Sequence, residues 1–368
     1  MKILVTGGGT AGHINPALSI VSYIKEKHSD AEILYVGNQN SMEERLVPKA
    51  GYNFKSVSIS GLSRKISPKA IMYNVKTVCK LISSTAKAKK IIKEFCPDFC
   101  IGTGGYVCAP IISAATKLKV PCFLHESNSY PGVTVKMLAK KVKAVFLPNE
   151  ATKKFFDKEV NAIVTGNPVR EGIAVYDKQK AREKLKFDDR PIILSYGGSL
   201  GSKKLNEVMA DFLKRSFNDK KYQHIHGYGK SYPSYKDDLK IDENDSSIRV
   251  LDYIYDMPDY FAAADLIISR SGAMSVTEIS VAGKASILIP SPNVVENHQY
   301  HNAMSLVNEN AAVIIEEKDL ISSVLMQKAD DILKSDDSRK TFEINAKSVY
   351  DSNANEKIYK NIMKIMEF

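Results

Sequence analysis

Short apolar runs alternate with amphipathic stretches along the whole chain. The runs have the length of buried strands, and the stretches between them, such as 16–26, 68–94 and 204–215, place apolar residues at helical spacing. This alternation predicts βαβ units and parallel sheets. The predicted strands lie at 3–6, 32–36, 99–103, 121–125 and 144–147, and then at 192–196, 222–226, 248–251, 266–269, 285–289 and 312–315.

The strand pattern restarts near residue 192. The restart predicts an α/β protein of two doubly wound, Rossmann-like domains that face each other across a ligand cleft. Gly166, Asn167 and Pro168 interrupt the pattern before a polar stretch, so we predict domains at 1–165 and 166–352. Apolar residues at helical spacing predict a terminal helix at about 353–368, which we expect to pack back on the first domain.

Charge is divided unevenly between these halves. The 368 residues are 44% hydrophobic and 26% charged, which is typical of a globular protein with two cores. Residues 1–165 carry 24 Lys and Arg against 11 Asp and Glu, whereas the remainder carries 28 against 31. The net charge of +10 therefore belongs to the first half, which we expect to meet nucleic acid, a membrane surface or phosphates.

Several protein classes are disfavoured. No apolar run approaches the roughly 20 residues that span a bilayer, and the N-terminal apolar stretch is too short for a signal peptide. An odd number of cysteines, five, indicates reduced thiols in the cytoplasm. Cys96 and Cys100 have no second pair or nearby histidine, and no Asp-x-Asp triplet occurs, so the sequence predicts no metal site.

Three glycine-rich turns, at 7–12, 102–105 and 197–201, follow predicted strands. Glycine lets the backbone approach a ligand closely, and the helix after such a turn points free N–H groups outward, so the turns are candidate phosphate sites. Tight packing turns, which α/β proteins need anyway, are the alternative. No Gly-Lys-Ser/Thr follows and no acid ends the second strand, so neither a P-loop nor a nicotinamide cofactor is favoured.

His13 lies just past the first turn, at or before a predicted helix N-terminus. A neutral imidazole there can accept a proton from a hydroxyl nucleophile, and the positive helix end is expected to lower its pKa. A hydrogen-bonding role is the alternative. Glu126 and Asn128 follow another strand, where Glu126 could orient or accept and Asn128 could read hydroxyl groups, or where both could form a polar turn.

A strand end, a glycine turn and a first helical turn are predicted at 268–278. Small residues leave the helix N-terminus open to phosphate, and Glu278 is suited to vicinal hydroxyls of a ribose. A helix capped by Ser271 or Ser275 is the alternative, and the two interpretations are compatible. Gln299 follows in a further polar turn and is suited to sugar hydroxyls.

The segment 69–93 combines seven lysines and no acid with apolar residues at helical spacing. It is either an ordinary amphipathic domain helix or a helix that binds anionic lipid. Four further lysines, Lys136, Lys140, Lys141 and Lys143, could extend such a basic patch.

The motifs occur in an order that resembles the MurG family, the UDP-N-acetylglucosamine transferases that make the lipid-linked disaccharide of peptidoglycan. The resemblance extends from about Met1 to the last helix and rests on Gly-Gly-Thr-x-Gly-His, Gly-Thr-Gly-Gly-Tyr, His-Glu-x-Asn, Gly-Asn-Pro-Val-Arg, Gly-Gly-Ser-x-Gly and Arg-Ser-Gly-Ala-x-Ser/Thr-Val-x-Glu. It implies the GT-B fold and an inverting transfer of GlcNAc from UDP-GlcNAc to the 4-hydroxyl of MurNAc-pentapeptide on undecaprenyl pyrophosphate.

The resemblance also implies residue roles. His13 would lie at the reaction centre; beside these implied roles, we predict Glu126 as a second catalytic residue and Gly104, Gly105 and Tyr106 as contacts with the acceptor. The remaining implied contacts with substrate are Thr10, Ala11, Gly12, Asn128, Arg170, Ser199, Ile254, Ala273, Met274, Ser275, Val276, Thr277, Glu278 and Gln299. Two positions depart from the family pattern: Ala11 replaces the usual glycine, and His298 stands where many members carry a second glutamine.

The resulting hypothesis is a peripheral enzyme at the cytoplasmic face of the cell membrane. Its partners would be UDP-GlcNAc, undecaprenyl-pyrophosphoryl-MurNAc-pentapeptide and anionic inner-leaflet lipid, with no cofactor, no metal and no nucleic acid. Another GT-B sugar-nucleotide enzyme, either a glycolipid glycosyltransferase or a UDP-GlcNAc epimerase, is the second hypothesis. A basic nucleic-acid-binding α/β protein is the third, although no basic motif interleaved with aromatic residues supports it.

Overall fold

A computed structural model describes residues 1–60, 67–170, 172–173, 177–240, 247–294 and 297–367. The chain forms two compact units. Unit 1 comprises Met1–Pro168 together with Asn353–Phe368, and unit 2 comprises Val169–Ser352. The boundary therefore lies three residues beyond the predicted position, and Gly166 belongs to unit 1 because its N–H donates to the carbonyl of Leu147.

Unit 1 is a seven-stranded parallel sheet flanked by helices, with strand order β3-β2-β1-β4-β5-β6-β7. Its elements, in chain order, are β1 (Lys2–Thr6), α1 (Ala11–Lys27), β2 (Glu32–Asn38), α2 (Met42–Lys49), β3 (Asn53–Val57), α3 (Pro68–Phe95), β4 (Phe99–Gly102), α4 (Cys108–Lys117), β5 (Cys122–His125), α5 (Val133–Leu138), β6 (Ala144–Leu147) and β7 (Ala162–Val164).

Unit 2 has a six-stranded parallel sheet with strand order β10-β9-β8-β11-β12-β13. Its elements are α6 (Lys178–Leu185), β8 (Ile192–Tyr196), α7 (Lys203–Asp219), β9 (Gln223–Gly227), α8 (Tyr235–Leu239), β10 (Ile248–Leu251), α9 (Met257–Ala263), β11 (Leu266–Ser269), α10 (Ala273–Ala282), β12 (Ala285–Leu288), α11 (His298–Val307), β13 (Val313–Ile314), α12 (Ser322–Leu333) and α13 (Asp336–Val349). The predicted fold class, two doubly wound parallel-sheet domains, is confirmed.

The last helix, α14 (Ala354–Met366), completes the core of unit 1. Ile358 and Ile362 are fully buried and join the apolar cluster that contains Ile3 of β1 and Ile20 of α1. Side chains alternate across a strand, so Leu4 of β1 points to the opposite face of the sheet. Helices α3 and α4 cover that face.

Both sheets have a switch point, where strand order reverses. The switch point of unit 1 lies between β1 and β4, and that of unit 2 lies between β8 and β11. Ligands of doubly wound sheets bind at the carboxyl ends of the strands at such points. All three predicted glycine turns follow one of these four strands, so the fold places them where a ligand is expected.

Neither a membrane span nor a metal cluster occurs in the described part of the chain. None of the helices in the described ranges has the length and hydrophobicity required to cross a bilayer. Among the described residues, no group of three or more His, Cys, Asp and Glu side chains is placed to hold a metal ion. Cys100, Cys108 and Cys122 are buried free thiols, whereas Cys96 is exposed.

Candidate active site

His13 lies in the first turn of α1, directly above the switch point of unit 1. The helix begins at Ala11, earlier than Pro16, at which we predicted its opening. Proline is usual in a first turn, which favours the later start. The chain instead turns at Thr10, whose backbone is extended and whose side chain provides no cap, and Pro16 lies inside the helix. His13 is thus part of the helix rather than a residue before it.

The imidazole of His13 is held by the loop after β4. Its Nδ1 lies 3.0 Å from the carbonyl oxygen of Thr103, and the Thr103 hydroxyl donates to the carbonyl of His13 at 2.6 Å. A carbonyl oxygen only accepts, so Nδ1 carries the hydrogen and the neutral ring presents Nε2 as an acceptor. This is the tautomer that a general base acting through Nε2 requires.

Burial lowers the pKa of His13, while the Glu126 carboxylate, the Thr103 carbonyl and the Glu43 carboxylate act to raise it. The predicted direction is therefore found, but burial, not the helix end, is the main cause. A ring with a lowered pKa remains neutral at physiological pH, as a proton acceptor must.

The first two glycine turns pack tightly against each other. Gly104 and Gly105 both have positive φ, at 99° and 80°. A Cβ at Gly104 would lie 2.8 Å from Nδ1 of His13, and one at Gly105 would lie 2.2 Å from the carbonyl oxygen of Gly8. The packing interpretation therefore explains these glycines, because any side chain would separate the two turns. Tyr106 lies over Gly9, where a Cβ would be 3.0 Å from its ring.

The Glu126 carboxylate is buried and is bonded within its own loop. It accepts hydrogen bonds from the N–H of Asn128 at 2.8 Å, from the Asn128 side-chain amide at 3.1 Å and from the N–H of Gly132 at 2.8 Å. These contacts fit the orienting interpretation, since the carboxylate fixes the Asn128 side chain. The preceding residue, His125, is fully buried, and burial lowers its pKa to about 4.

The third glycine turn, after β8 in unit 2, closes on the loop after β9. A Cβ at Gly201 would lie 2.0 Å from the carbonyl oxygen of Tyr228, and the carbonyl of Ser199 accepts from the N–H of Lys230 at 3.4 Å. Ser202 caps α7 through a hydrogen bond from Leu205. Ser199 therefore sits in a turn whose backbone is already fixed.

The helix after β11 has an open N-terminus. Gly272 is the N-cap of α10 and no side chain among the described residues caps the helix, so the alternative interpretation, a cap by Ser271 or Ser275, is wrong. The Ser271 hydroxyl is fully buried and has no hydrogen-bond partner in the described part of the chain. Free N–H groups, a positive helix end and an unpartnered hydroxyl together form a ready anion site.

Glu278, on the same helix, is paired with Arg170. The guanidinium donates from Nε to Oε1 at 2.8 Å and from Nη2 to Oε2 at 3.3 Å. The Glu278 side chain is 3% exposed and that of Arg170 is 26% exposed. Because the pair is bidentate, the position of each residue depends on the other. The two residues stand in separate motifs, and neither motif predicts this contact.

Two further predicted contacts, Gln299 in the first turn of α11 and Ile254 in the loop after β10, are held by other parts of unit 2. The side-chain oxygen of Gln299 accepts from the N–H of Ser291 at 2.9 Å. Ile254 is buried against Gly227, where a Cβ would lie 2.9 Å from its Cδ1. The first turns of α10 contain Ala273, Met274, Ser275, Val276 and Thr277. The predicted unit 2 residues therefore lie around the ends of β8, β9, β10, β11 and β12.

Sequence reasoning missed Arg270 as a structural residue, although it stands in the Arg-Ser-Gly-Ala motif. Its guanidinium donates to the hydroxyl of Ser202 at 2.6 and 3.1 Å and to the carbonyls of Ile289 and Pro290 at 3.2 and 3.1 Å, and it pairs with Glu317. One side chain thus holds together the loops that follow β8, β11 and β12. The feature of the sequence that could have indicated this role is a long, charged side chain next to a glycine turn.

The architecture and the two glycine-rich switch points are those of a two-domain glycosyltransferase. The chain matches the glycosyltransferase family 28 N-terminal domain over residues 3–147 and the family 28 C-terminal domain over residues 192–361. The enzyme class, a hexosyltransferase, follows from these matches and from the relatives below.

More specifically, the chain belongs to the family of UDP-N-acetylglucosamine–N-acetylmuramyl-(pentapeptide) pyrophosphoryl-undecaprenol N-acetylglucosamine transferases, as the motifs predicted. A member from Acetivibrio thermocellus is 40% identical over 370 residues, covering 100% of this chain and 99% of the relative. The crystal structure of MurG from Acinetobacter baumannii superposes with a TM-score of 0.71 at 27% identity, covering 99% of each chain.

Some solved structures share the fold of this chain but little of its sequence. The crystal structure of UDP-GlcNAc 2-epimerase from Neisseria meningitidis bound to UDP-GlcNAc has a TM-score of 0.66 but is only 14% identical, covering 99% of this chain and 100% of the epimerase. The epimerase hypothesis is therefore not favoured over the transferase hypothesis, which has full-length relatives at far higher identity.

Proposed function

We propose that this chain transfers N-acetylglucosamine from UDP-GlcNAc to the 4-hydroxyl of undecaprenyl-pyrophosphoryl-MurNAc-pentapeptide, with inversion at the anomeric carbon. The arrangement of His13 carries the proposal, because its Nδ1 is tied to the Thr103 carbonyl and Nε2 is left to accept a proton. The full-length relatives, whose name states this donor and acceptor, support the choice of substrates.

In the proposed step, the 4-hydroxyl oxygen bonds to C1 of GlcNAc while the bond from C1 to the β-phosphate oxygen breaks. The hydroxyl proton passes to Nε2 of His13, and the electron pair leaves on UDP. The open N-terminus of α10 and the Ser271 hydroxyl stabilise the charge that develops on the diphosphate. The ion pair with Glu278 orients Arg170 beside that helix, and Glu278 binds the ribose hydroxyls.

Unit 1 would bind the acceptor. Thr10, Ala11 and Gly12 form the turn and first helical residues before His13, where the free N–H groups of α1 suit a pyrophosphate. Gly104, Gly105 and Tyr106 form the facing turn. Glu126 acts here by holding Asn128 and not as a proton carrier, since its carboxylate already accepts three N–H groups.

Unit 2 would bind the donor. Ile254 would meet the uracil with its backbone, Ser199 and residues 273–278 would surround the diphosphate and ribose, and Gln299 would read GlcNAc hydroxyls. These positions all lie in the loops at the carboxyl end of the unit 2 sheet or in the helices that follow them, as the ligand of a doubly wound sheet requires.

A transfer assay tests the proposal. Purified protein should move labelled GlcNAc from UDP-GlcNAc to a lipid-linked muramyl acceptor, and His13→Ala should reduce the rate by roughly a hundredfold or more, the scale of a lost general base. His28→Gln, at the other end of α1, is the matched control and should retain the wild-type rate. Absence of transfer to every muramyl lipid would overturn the function, and full activity of His13→Ala would overturn the role of His13.

We also propose that unit 1 docks on anionic lipid at the cytoplasmic face of the membrane. Large apolar side chains are exposed on α3 and α5, both of which pack against α4: Met72, Ile82, Val133 and Met137. Lys80, Lys87 and Lys90 of α3 are exposed as well, and the side chains of Lys69 and Lys76 lie outside the described residues. Each basic residue near such a surface contributes about 1 kcal/mol.

Vesicle binding tests the docking proposal. Replacing Lys80, Lys87 and Lys90 by Gln should weaken binding to anionic vesicles and leave turnover of a soluble acceptor unchanged. A control triple replacement of Lys203, Lys204 and Lys214 on α7 of unit 2 should not affect vesicle binding. Unchanged vesicle binding of the α3 variant would contradict the proposal, and stronger binding to nucleic acid than to vesicles would revive the nucleic-acid hypothesis.

A further inference from the structure

Glu43 of α2 is a fully buried acid beneath the first glycine turn. Its Oε1 accepts from the N–H of Asn38 at 3.0 Å, and its Oε2 accepts from the N–H of Gly9 at 3.4 Å. Among the described residues, no Lys or Arg forms an ion pair with it. Burying a carboxyl group with two N–H donors and no cationic partner is costly, so its position calls for an explanation.

Two glycines make the space that the carboxylate occupies. A Cβ at Gly8 would lie 2.3 Å from Oε1 of Glu43, and a Cβ at Gly37 would lie 2.5 Å from its Cγ. Neither glycine has a positive φ, so conformational freedom does not explain them. The loops after β1 and β2 are therefore shaped around the Glu43 side chain.

Glu43 is connected to His13 through the backbone of the first glycine turn. Gly9, whose N–H it accepts, is followed by Thr10, the N-cap of the helix that carries His13. Asn38, the second donor, also lies 3.4 Å from the Tyr106 hydroxyl through its side-chain amide. One carboxylate thus connects the ends of β1 and β2 with the turn after β4.

Glu43 also acts on His13 through its charge. The ionisable groups that face the imidazole are Glu43 from α2, Glu126 from the loop after β5 and His125 from the end of β5. Burial lowers the pKa of His13, and Glu126, the Thr103 carbonyl and, by a smaller contribution, the charge of Glu43 act to raise it. The charge of Glu43 therefore contributes to stabilising a proton that the ring accepts.

We propose that Glu43 is a positioning residue of the transfer reaction, which holds the first glycine turn through Gly9 and places a negative charge beneath the turn that leads to His13. The inference rests on the proposed function. The substrate does not touch Glu43, which acts through the turn and the histidine.

Three variants test this role by steady-state kinetics across pH. Glu43→Gln keeps the shape but removes the charge, and it should lower kcat roughly tenfold or more, the scale of a misplaced catalytic group, with the KM for UDP-GlcNAc unchanged. The acid limb of its kcat/KM profile should move to lower pH, because the pKa of His13 falls when the neighbouring charge is removed. Glu43→Asp keeps the charge and withdraws the carboxyl group from Gly9, so kcat should fall with the acid limb unmoved.

Glu44→Gln is the matched control, since its carboxylate lies one residue away and accepts from the N–H of Asn40 at 2.6 Å instead. It should match the wild-type rate and profile. A wild-type kcat in Glu43→Gln, or a lowered kcat with an unmoved acid limb, would overturn the inference. If circular dichroism shows that Glu43→Gln is unfolded, a wild-type kcat in Glu43→Asp overturns it. Absence of transfer by the wild-type protein would overturn the proposed function itself, which distinguishes the two failures.

Discussion

The switch points of the two sheets contain the same parts, a glycine turn followed by a helix N-terminus, but they are filled differently. In unit 1 the turns after β1 and β4 touch, and His13 is held between them by Thr103. In unit 2 the turn after β8 packs on the loop after β9, and the N-terminus of α10 stays open beside the unpartnered Ser271 hydroxyl.

This difference separates two uses of glycine. In unit 1, Gly104 and Gly105 permit protein to approach protein, and the result is a side chain with a fixed tautomer. In unit 2, a Cβ at Gly272 would meet nothing within 4 Å, and the helix end leaves N–H groups for a ligand. A closed site suits a residue that must be oriented, whereas an open helix end suits a charged group that arrives and departs.

The largest effect on stability and activity should come from a side chain that separates the two packed glycine turns of unit 1. Gly105→Ala places a methyl group 2.2 Å from the Gly8 carbonyl at a φ of 80°, so we expect a loss of stability on the order of 3–4 kcal/mol and of nearly all transfer activity. Gly51→Ala is the matched control, with a φ of 83° and nothing within 4 Å, and it should lose only about 1 kcal/mol. Urea unfolding measures both, and equal losses would show that the turns are not closely packed.

The ion pair beside the open helix should give the next largest effect. Arg170→Met leaves the Glu278 carboxylate buried without its partner, and we expect a loss of roughly 2 kcal/mol, discounted for the partial exposure of Arg170. Adding Glu278→Leu should restore most of that stability, because no unpaired charge remains, but it should not restore UDP binding. If the double variant is as unstable as Arg170→Met, the loss of stability does not come from the unpaired Glu278 carboxylate, and the prediction is wrong.

A smaller effect is expected at the open helix end itself. Ser271→Ala removes a buried hydroxyl that has no partner in the described part of the chain, so the protein should be unchanged or about 1 kcal/mol more stable, while UDP binding weakens about tenfold. Ser286→Ala of β12 removes another such hydroxyl and should leave UDP binding unchanged. Calorimetric titration with UDP distinguishes the two, and equal affinities would remove Ser271 from the proposed anion site.

The smallest effect is expected at Ala11, the first residue of α1. Ala11→Gly introduces the glycine that the family resemblance leads us to expect at this position, and it should cost less than about 1 kcal/mol of stability while changing the KM for the lipid acceptor severalfold at most. Ala354→Gly, at the first position of α14, makes the same backbone change away from the site and should leave that KM alone. A large rise in kcat for Ala11→Gly would indicate that the alanine holds the turn away from its ligand.

The interior of both sheets was predictable because buried parallel strands are apolar on both faces, as in 3–6 and 192–196. The edge strands β3 and β7 were missed. In β3, Asn53 and Lys55 are exposed and break the apolar run, and β7 has only three residues, all half-buried. Glycine turns and their following helices were predictable from local chemistry, which is why the three predicted glycine turns fall at the switch points.

Contacts between distant segments were not predictable. The polar residues Glu44 and Arg45 that follow Glu43 do not indicate its burial, and the glycines that accommodate it precede it by 35 and six positions. The pairing of Arg170 with Glu278 joins residues 108 positions apart. The prediction that α1 opens at Pro16 is wrong, because the extended backbone at Thr10 lets the helix begin at Ala11 and proline is tolerated further along its first turns.

Helix α14 makes unit 1 discontinuous in the chain. Ile358 and Ile362 supply fully buried side chains to a core whose other members are made more than 200 residues earlier. During synthesis, the sheet of unit 1 must therefore wait with an uncovered apolar face while all of unit 2 is translated. The final folding step of unit 1 is thereby tied to a helix that is translated after all of unit 2, and chains truncated before α14 would carry a permanently exposed core surface.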